Sequence, residues 1–168
     1  MRRILRKKQD VTLLIFFWFL TIAWLILIFW FSSQDSTSSN EVSMKVTEKV
    51  VAIVADYSDY DEVSIELVVA ELNKIVREAA HVIIYFIFGL LVATLLNQYV
   101  IKYLFVFSCM VCFPIPILDE YNQKFRDAGR VFDTLDLAKD WAGSAVGILL
   151  ICIIVGFVKQ CKEIFGTY

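Results

Sequence analysis

Hydrophobic residues in this chain come in four blocks, separated by stretches in which charged and apolar side chains mix. The first block, Val11 to Phe31, holds no charge over 21 positions. At ~1.5 Å per helical residue, such a run crosses a hydrocarbon layer of ~30 Å. Ala79 to Leu96 forms a second block, marked by His81. Tyr103 to Leu118 forms a shorter third that contains Pro114 and Pro116, and Trp141 to Val158 forms the fourth. The pattern predicts a single all-α integral membrane domain over residues 1–168. Its four transmembrane helices fall near 11–31, 79–96, 103–118 and 141–158.

The polar stretches have helical order of their own. Ser38 and Glu41 stand in capping-box relation, and Val42, Val46, Val50, Ile53 and Val54 then make an apolar stripe. The run from Asp56 to Asp61 interrupts it. Asp59 and Glu62 offer a second box, and Ile65, Val69, Leu72 and Val76 form a second stripe that runs into the next span. Two amphipathic helices are predicted in the segment 32–78. The segment 119–140 also mixes charge with Phe125, Val131, Phe132, Leu135 and Leu137, as a stretch folded against a membrane domain would. Ahead of it, Pro114 and Pro116 remove backbone donors, which predicts a kink or an end of regular helix before Asp119.

Composition agrees with this division and adds an orientation. The chain of 168 residues is 59% hydrophobic with a mean hydropathy of +0.68, unlike a soluble domain. Arg2, Arg3, Arg6, Lys7 and Lys8 precede the first block, which is longer than the ~7–15 residues of a signal-peptide core and lacks a small-residue cleavage site after it. An uncleaved anchor with a cytoplasmic N-terminus follows from the positive-inside rule. Residues 32–78 carry Lys45, Lys49, Lys74 and Arg77 against ten acidic residues, the balance of a translocated loop. Segments 32–78 and 119–140 are therefore expected outside the plasma membrane, and both termini inside. Cys109, Cys112, Cys152 and Cys161 lie in or near apolar runs and read as packing residues, with no disulfide framework.

Candidate chemistry gathers on the side expected to face outward. Arg77, His81, Tyr85 and Gly89 follow one another at i, i+4 and share a helix face. His81 is the only histidine. Ser33, Gln34, Asp119, Glu120, Gln123, Arg126, Arg130 and Asp136 complete a polar set bordering hydrocarbon, where ionisable groups pair or line a polar cavity. Arg126 and Arg130 can hold a phosphate or carboxylate by forked hydrogen bonds. Among candidate catalytic groups, His81 and Glu120 can carry a proton and Asp119 can orient a partner. The same residues can instead form a salt-bridge network that fixes the helices. Neither a Gly-rich phosphate loop, a nucleophile motif nor a metal-ligand set is present, so no cofactor, metal or nucleic acid is expected.

Three separated blocks resemble the VanZ-like family of bacterial membrane proteins. They are Phe31-Ser32-Ser33-Gln34 after the first span; Arg77, His81, Tyr85 and Gly89; and Asp119, Glu120, Gln123, Phe125, Gly129, Arg130, Asp136, Gly143 and Gly147. Arg77 replaces an expected Lys, Ala128 an expected Pro, and Asp140 a common Asn. The resemblance implies a role in glycopeptide resistance, chiefly to teicoplanin rather than vancomycin, and supplies no reaction. With the outward placement it leads to two expectations. One is a protein that binds a membrane lipid or lipid-linked cell-wall precursor at the outer leaflet and affects glycopeptide antibiotics indirectly. The alternative is a membrane enzyme on a lipid-linked phosphate or acyl substrate, with His81 and Glu120 as acid–base groups.

Overall fold

The computed structural model describes residues 11–34, 43–51, 62–99, 102–126 and 133–166, with the side chains of 62–67 and 126 excepted. All regular structure among them is helical: α1 (Val11–Ser32), α2 (43–51), α3 (Glu62–Gln98), α4 (Leu104–Cys112), α5 (Pro114–Arg126) and α6 (Thr134–Phe165). Four stretches are long and apolar enough to cross a membrane: Val11–Ser32, Val68–Gln98, Leu104–Phe125 and Thr134–Phe165.

These helices are longer than the apolar blocks that announce them. At ~1.5 Å per residue α3 is ~55 Å long, so its polar first half extends well beyond a ~30 Å hydrocarbon band. The second amphipathic stripe is thus the start of the second span, with no break between them. Val69, Leu72 and Val76 are half-buried along it, while Val68 and Ile75 face out. α1 is apolar on every side and exposes Leu13, Phe16, Phe19, Ile22 and Ile26, a surface suited to lipid rather than water.

One expectation needs correction. The prolines do interrupt the third span, since α4 ends at Cys112 and α5 starts at Pro114, but Asp119 lies within the restarted helix and not beyond its end. Phe113 keeps right-handed helical dihedrals (φ −59°, ψ −40°), and its N–H donates to Cys109 O at 2.8 Å. Pro114 then occupies the first position of α5, where a missing N–H costs least. The helix continues to Arg126, so Asp119, Glu120 and Gln123 lie on a buried helix face and not in a loop beyond the span. In α2 the stripe positions Val46 and Val50 are exposed, whereas Ser43 and Thr47 are buried. Thr47 Oγ1 donates to Ser43 O at 3.0 Å and approaches Asn73 Oδ1 on α3 at 3.5 Å, so a polar contact seats this helix. The proposed capping boxes at Ser38–Glu41 and Asp59–Glu62, the stripe residues Val42, Ile53 and Val54, the side chain of Ile65, and Gly129 and Arg130 lie outside the described residues.

The bundle is organised about α3 and α6, which run parallel. Gly143 meets Val82 and Phe86, Gly147 meets Phe86 and Leu90, and Gly89 meets Ser144. At each, a Cβ would collide with a backbone carbonyl of the facing helix. Backbone-to-backbone approach through small residues is the usual device for packing helices in lipid, where van der Waals contact must do most of the work. Tyr85, Phe88, Val92 and Ala93 of α3 meet Ile28 of α1, Cys112 of α4 and Ile148 of α6 in the core. Indole hydrogen bonds pin the periphery: Trp24 Nε1 donates to Ile84 O at 2.9 Å and Trp18 Nε1 to the Tyr99 hydroxyl at 2.8 Å. Trp141 Nε1 donates to Phe113 O at 3.0 Å, and the two rings stack with centroids 4.2 Å apart, which ties the α4–α5 junction to α6. All four cysteines are free thiols, with Cys112 in the core and Cys109 and Cys152 packed against it.

Candidate functional site

The alternating direction of the spans brings the C-terminal ends of α1 and α5, residues 77–85 of α3 and the N-terminal end of α6 to one end of the bundle. α6 begins cleanly there, because Asp133 caps it by accepting from Leu135 N–H at 2.8 Å. Nearly all of the polar side chains singled out from the sequence converge at this end.

Between α1, α2, α3 and α5 lies a cavity of about 220 Å³. One part of its wall is polar, with Ser32, Gln34, Arg77, His81, Asp119 and Gln123. The other part is apolar, with Ile28, Phe31, Val46, Val76, Ala80 and Ile84. Asp119, Gln123 and Tyr85, which also borders the cavity, are buried at 3%, 4% and 1% exposure, whereas Arg77 is exposed at the rim. Helical spacing does what the sequence expects at Asp119 and Gln123: one turn apart, they join through Gln123 Nε2 donating to Asp119 Oδ2 at 3.1 Å.

Hydrogen bonds around the end of α1 hold the wall in place. Ser32 Oγ donates to Asp119 O at 3.2 Å, and Asn122 Nδ2 donates to Ser32 Oγ at 3.0 Å and Ser33 Oγ at 3.3 Å. Ser33 Oγ donates to Phe29 O at 2.6 Å. The serine–glutamine exit of α1 is therefore a docking point for α5, and Ser32 is the more deeply buried of its two serines.

Other candidates have partners that the sequence did not indicate. His81 Nδ1 lies 3.8 Å from Asp140 Oδ1, an acidic group on α6 that is 6% exposed. Glu120 accepts from Asp133 N–H at 2.8 Å, bracing the start of α6 against α5, and it does not line the cavity. Asp136 pairs with Lys139 at 3.1 Å, and Lys139 also reaches Glu78 of α3 at 3.3 Å. That trio clasps α3 to α6 at the surface. The side chain of Arg126 and the whole of Arg130 fall outside the described residues, so Arg77 is the arginine that the structure places at the cavity. No group of three or more His, Cys, Asp and Glu among the described residues is arranged to hold a metal ion.

Asn122 and Ser144 are site residues that the sequence did not single out, and Ser32 and Asp140 stood in it only within the resemblance and not as candidate site residues. Asp140 did carry a signal, since it stands one turn after Asp136 and one turn before Ser144 on a helix otherwise turning apolar. Ser144 is buried in the α3–α6 seam.

The helices and the cavity define a multi-pass membrane protein with a partly polar, partly apolar chamber at one end of its bundle. The chain belongs to the VanZ-like family: the family model described as VanZ/LLP1 matches residues 17–155, which includes most of each of the four spans and the whole cavity wall. No curated protein and no solved structure matches it.

Proposed function

We propose that this cell-envelope protein binds a membrane lipid or lipid-linked cell-wall precursor in the chamber between α1, α2, α3 and α5. Through that binding it alters susceptibility to lipophilic glycopeptides such as teicoplanin. The observation that carries this reading is the two-sided wall. Arg77, His81, Asp119 and Gln123 suit a charged headgroup, and Phe31, Val76, Ala80 and Ile84 suit the first carbons of a tail. The positive-inside pattern supports a chamber opening at the outer leaflet with both termini in the cytoplasm. There, lipid-linked precursors and lipophilic drugs meet. The test is susceptibility to teicoplanin and vancomycin in a sensitive Gram-positive host expressing the wild type, Ala80→Trp to fill the chamber, or Ala142→Trp as a change on the exposed side of α6. At matched membrane levels, selective teicoplanin protection should appear with the wild type and Ala142→Trp and vanish with Ala80→Trp. No protection by a well-expressed wild type overturns the resistance role.

A second reading, a membrane enzyme on a lipid-linked phosphate or acyl substrate, draws on the His81–Asp140 pair. An imidazole and a carboxyl group 3.8 Å apart at the chamber wall can pass a proton between them and a bound substrate. Turnover of a lipid phosphate or ester by purified wild type, lost in His81→Gln, would favour it over binding alone.

A further inference from the structure

Two hydrogen-bond acceptors in the deep part of the chamber have no partner among the described residues. Gln123 commits one of its two side-chain N–H groups to Asp119 Oδ2, and its own Oε1 is buried with no hydrogen-bond partner among the described residues. Asp119 Oδ1 is in the same condition, and both side chains line the chamber while more than nine-tenths buried. The Tyr85 hydroxyl lies beside the Asp119 carboxylate and makes no well-formed hydrogen bond. Buried acceptors left unmet are costly, and a buried carboxylate more so.

Charge is unbalanced in the same place. Among the described residues no ion pair reaches Asp119. His81 lies 3.8 Å from Asp140 and also acts on Asp119 at longer range, so one imidazole serves two buried carboxyl groups, and Lys139 pairs with Asp136 and Glu78 on the outer surface. A ligand group that met both demands would be positively charged and rich in N–H. A primary ammonium has three donors and no lone pair to set against Asp119 and Gln123, whereas each hydroxyl brings one donor and two lone pairs. Arg77 lies two turns from Tyr85 along α3, about 12 Å on the helix axis, with His81 between them. Its guanidinium at the rim is matched to a phosphate.

We infer, on the reading that the chamber holds a membrane amphiphile, that it selects phospholipid headgroups in which a primary amine follows a phosphate. The ammonium is held by Asp119 and Gln123 and the phosphate by Arg77. The chamber volume of about 220 Å³ accommodates a headgroup of several heavy atoms, far more than one water, and leaves the tails to follow the apolar wall.

The experiment is a binding titration of the full chain in detergent with four lipids of equal chain length. Phosphatidylethanolamine has the phosphate and the primary amine. Phosphatidylcholine keeps phosphate and charge but has no N–H, phosphatidylglycerol offers hydroxyl donors without an amine, and diacylglycerol lacks the phosphate. The expected result is binding of phosphatidylethanolamine about tenfold tighter than of either other phospholipid, the worth of a charge-assisted hydrogen bond. Asp119→Asn should remove that preference. Equal binding of the three phospholipids, all above diacylglycerol, would overturn the amine selection and leave the amphiphile reading standing. Tighter binding of phosphatidylglycerol would likewise overturn it. Phospholipid binding no stronger than that of diacylglycerol would overturn headgroup selection, and no binding of any of the four lipids would sink the amphiphile reading as well. The comparison among lipids uses the wild-type protein, so it decides the matter even if Asp119→Asn fails to fold.

Discussion

Replacing Gly147 by alanine should push α3 and α6 apart. The new Cβ would fall on the Phe86 carbonyl oxygen, with the Leu90 nitrogen at 3.0 Å and the Phe86 carbonyl carbon at 3.2 Å. All three are backbone atoms of a helix, so none can swing aside as a side chain would. Restoring ordinary contact requires the helices to separate by roughly 1 Å, a gap that forfeits about a quarter to a half of each pairwise well of ~0.1–0.2 kcal/mol. Spread over some tens of atom pairs along the seam, the loss is about 1–3 kcal/mol, the usual range for overpacking. The better helix propensity of alanine returns up to ~1 kcal/mol. Gly156 lies in the same helix, and a methyl added there would have nothing within 4 Å, so Gly156→Ala has only the propensity gain. Unfolding of the two variants and the wild type in one detergent gives the comparison. Gly147→Ala should melt below wild type, and Gly156→Ala at or above it. If the two variants move together, close approach along the seam does not hold the bundle.

Two further outcomes follow from single contacts. Glu120→Gln keeps an acceptor for the Asp133 N–H but loses its charge, so chemical denaturation should show a loss of about 1 kcal/mol; abolished activity with unchanged stability would instead mark Glu120 as a proton carrier. Trp141→Phe retains a ring over Phe113 but loses the bond to its carbonyl, for about 1 kcal/mol, and Trp141→Leu loses both, for about 2 kcal/mol. Equal stability of those two variants in the same denaturation would show that the stacking contributes nothing.

The number and approximate place of the spans were legible because a charge-free run such as Val11 to Phe31 has few alternatives in water. Gly143 and Gly147, one helical turn apart within apolar sequence, are the kind of small residues through which helices approach closely. The end of the third span was not legible. Proline removes a donor, but its cost depends on where a helix restarts, and Phe113 could supply helical dihedrals that place Pro114 at a tolerant first position. Partner choice in the site was also hidden. The sequence puts Asp119 and Gln123 one turn apart, and that local bond formed. The pairing of His81 with Asp140 depends on how α6 rotates against α3, which the glycine seam fixes and local spacing does not. The seating of α2 through Ser43 and Thr47 was hidden too, because an apolar stripe is a guide to burial against a core, and this helix meets Asn73 instead.

The most direct test of the central claim is whether the chamber holds lipid. Native mass spectrometry of protein gently extracted from membranes would compare the wild type, Ala80→Trp and Ala142→Trp. Wild type and Ala142→Trp should retain a bound phospholipid or lipid-linked precursor under activation that strips peripheral lipid, and Ala80→Trp should lose it. Retention in all three, or in none, would contradict the assignment of the chamber as the binding site.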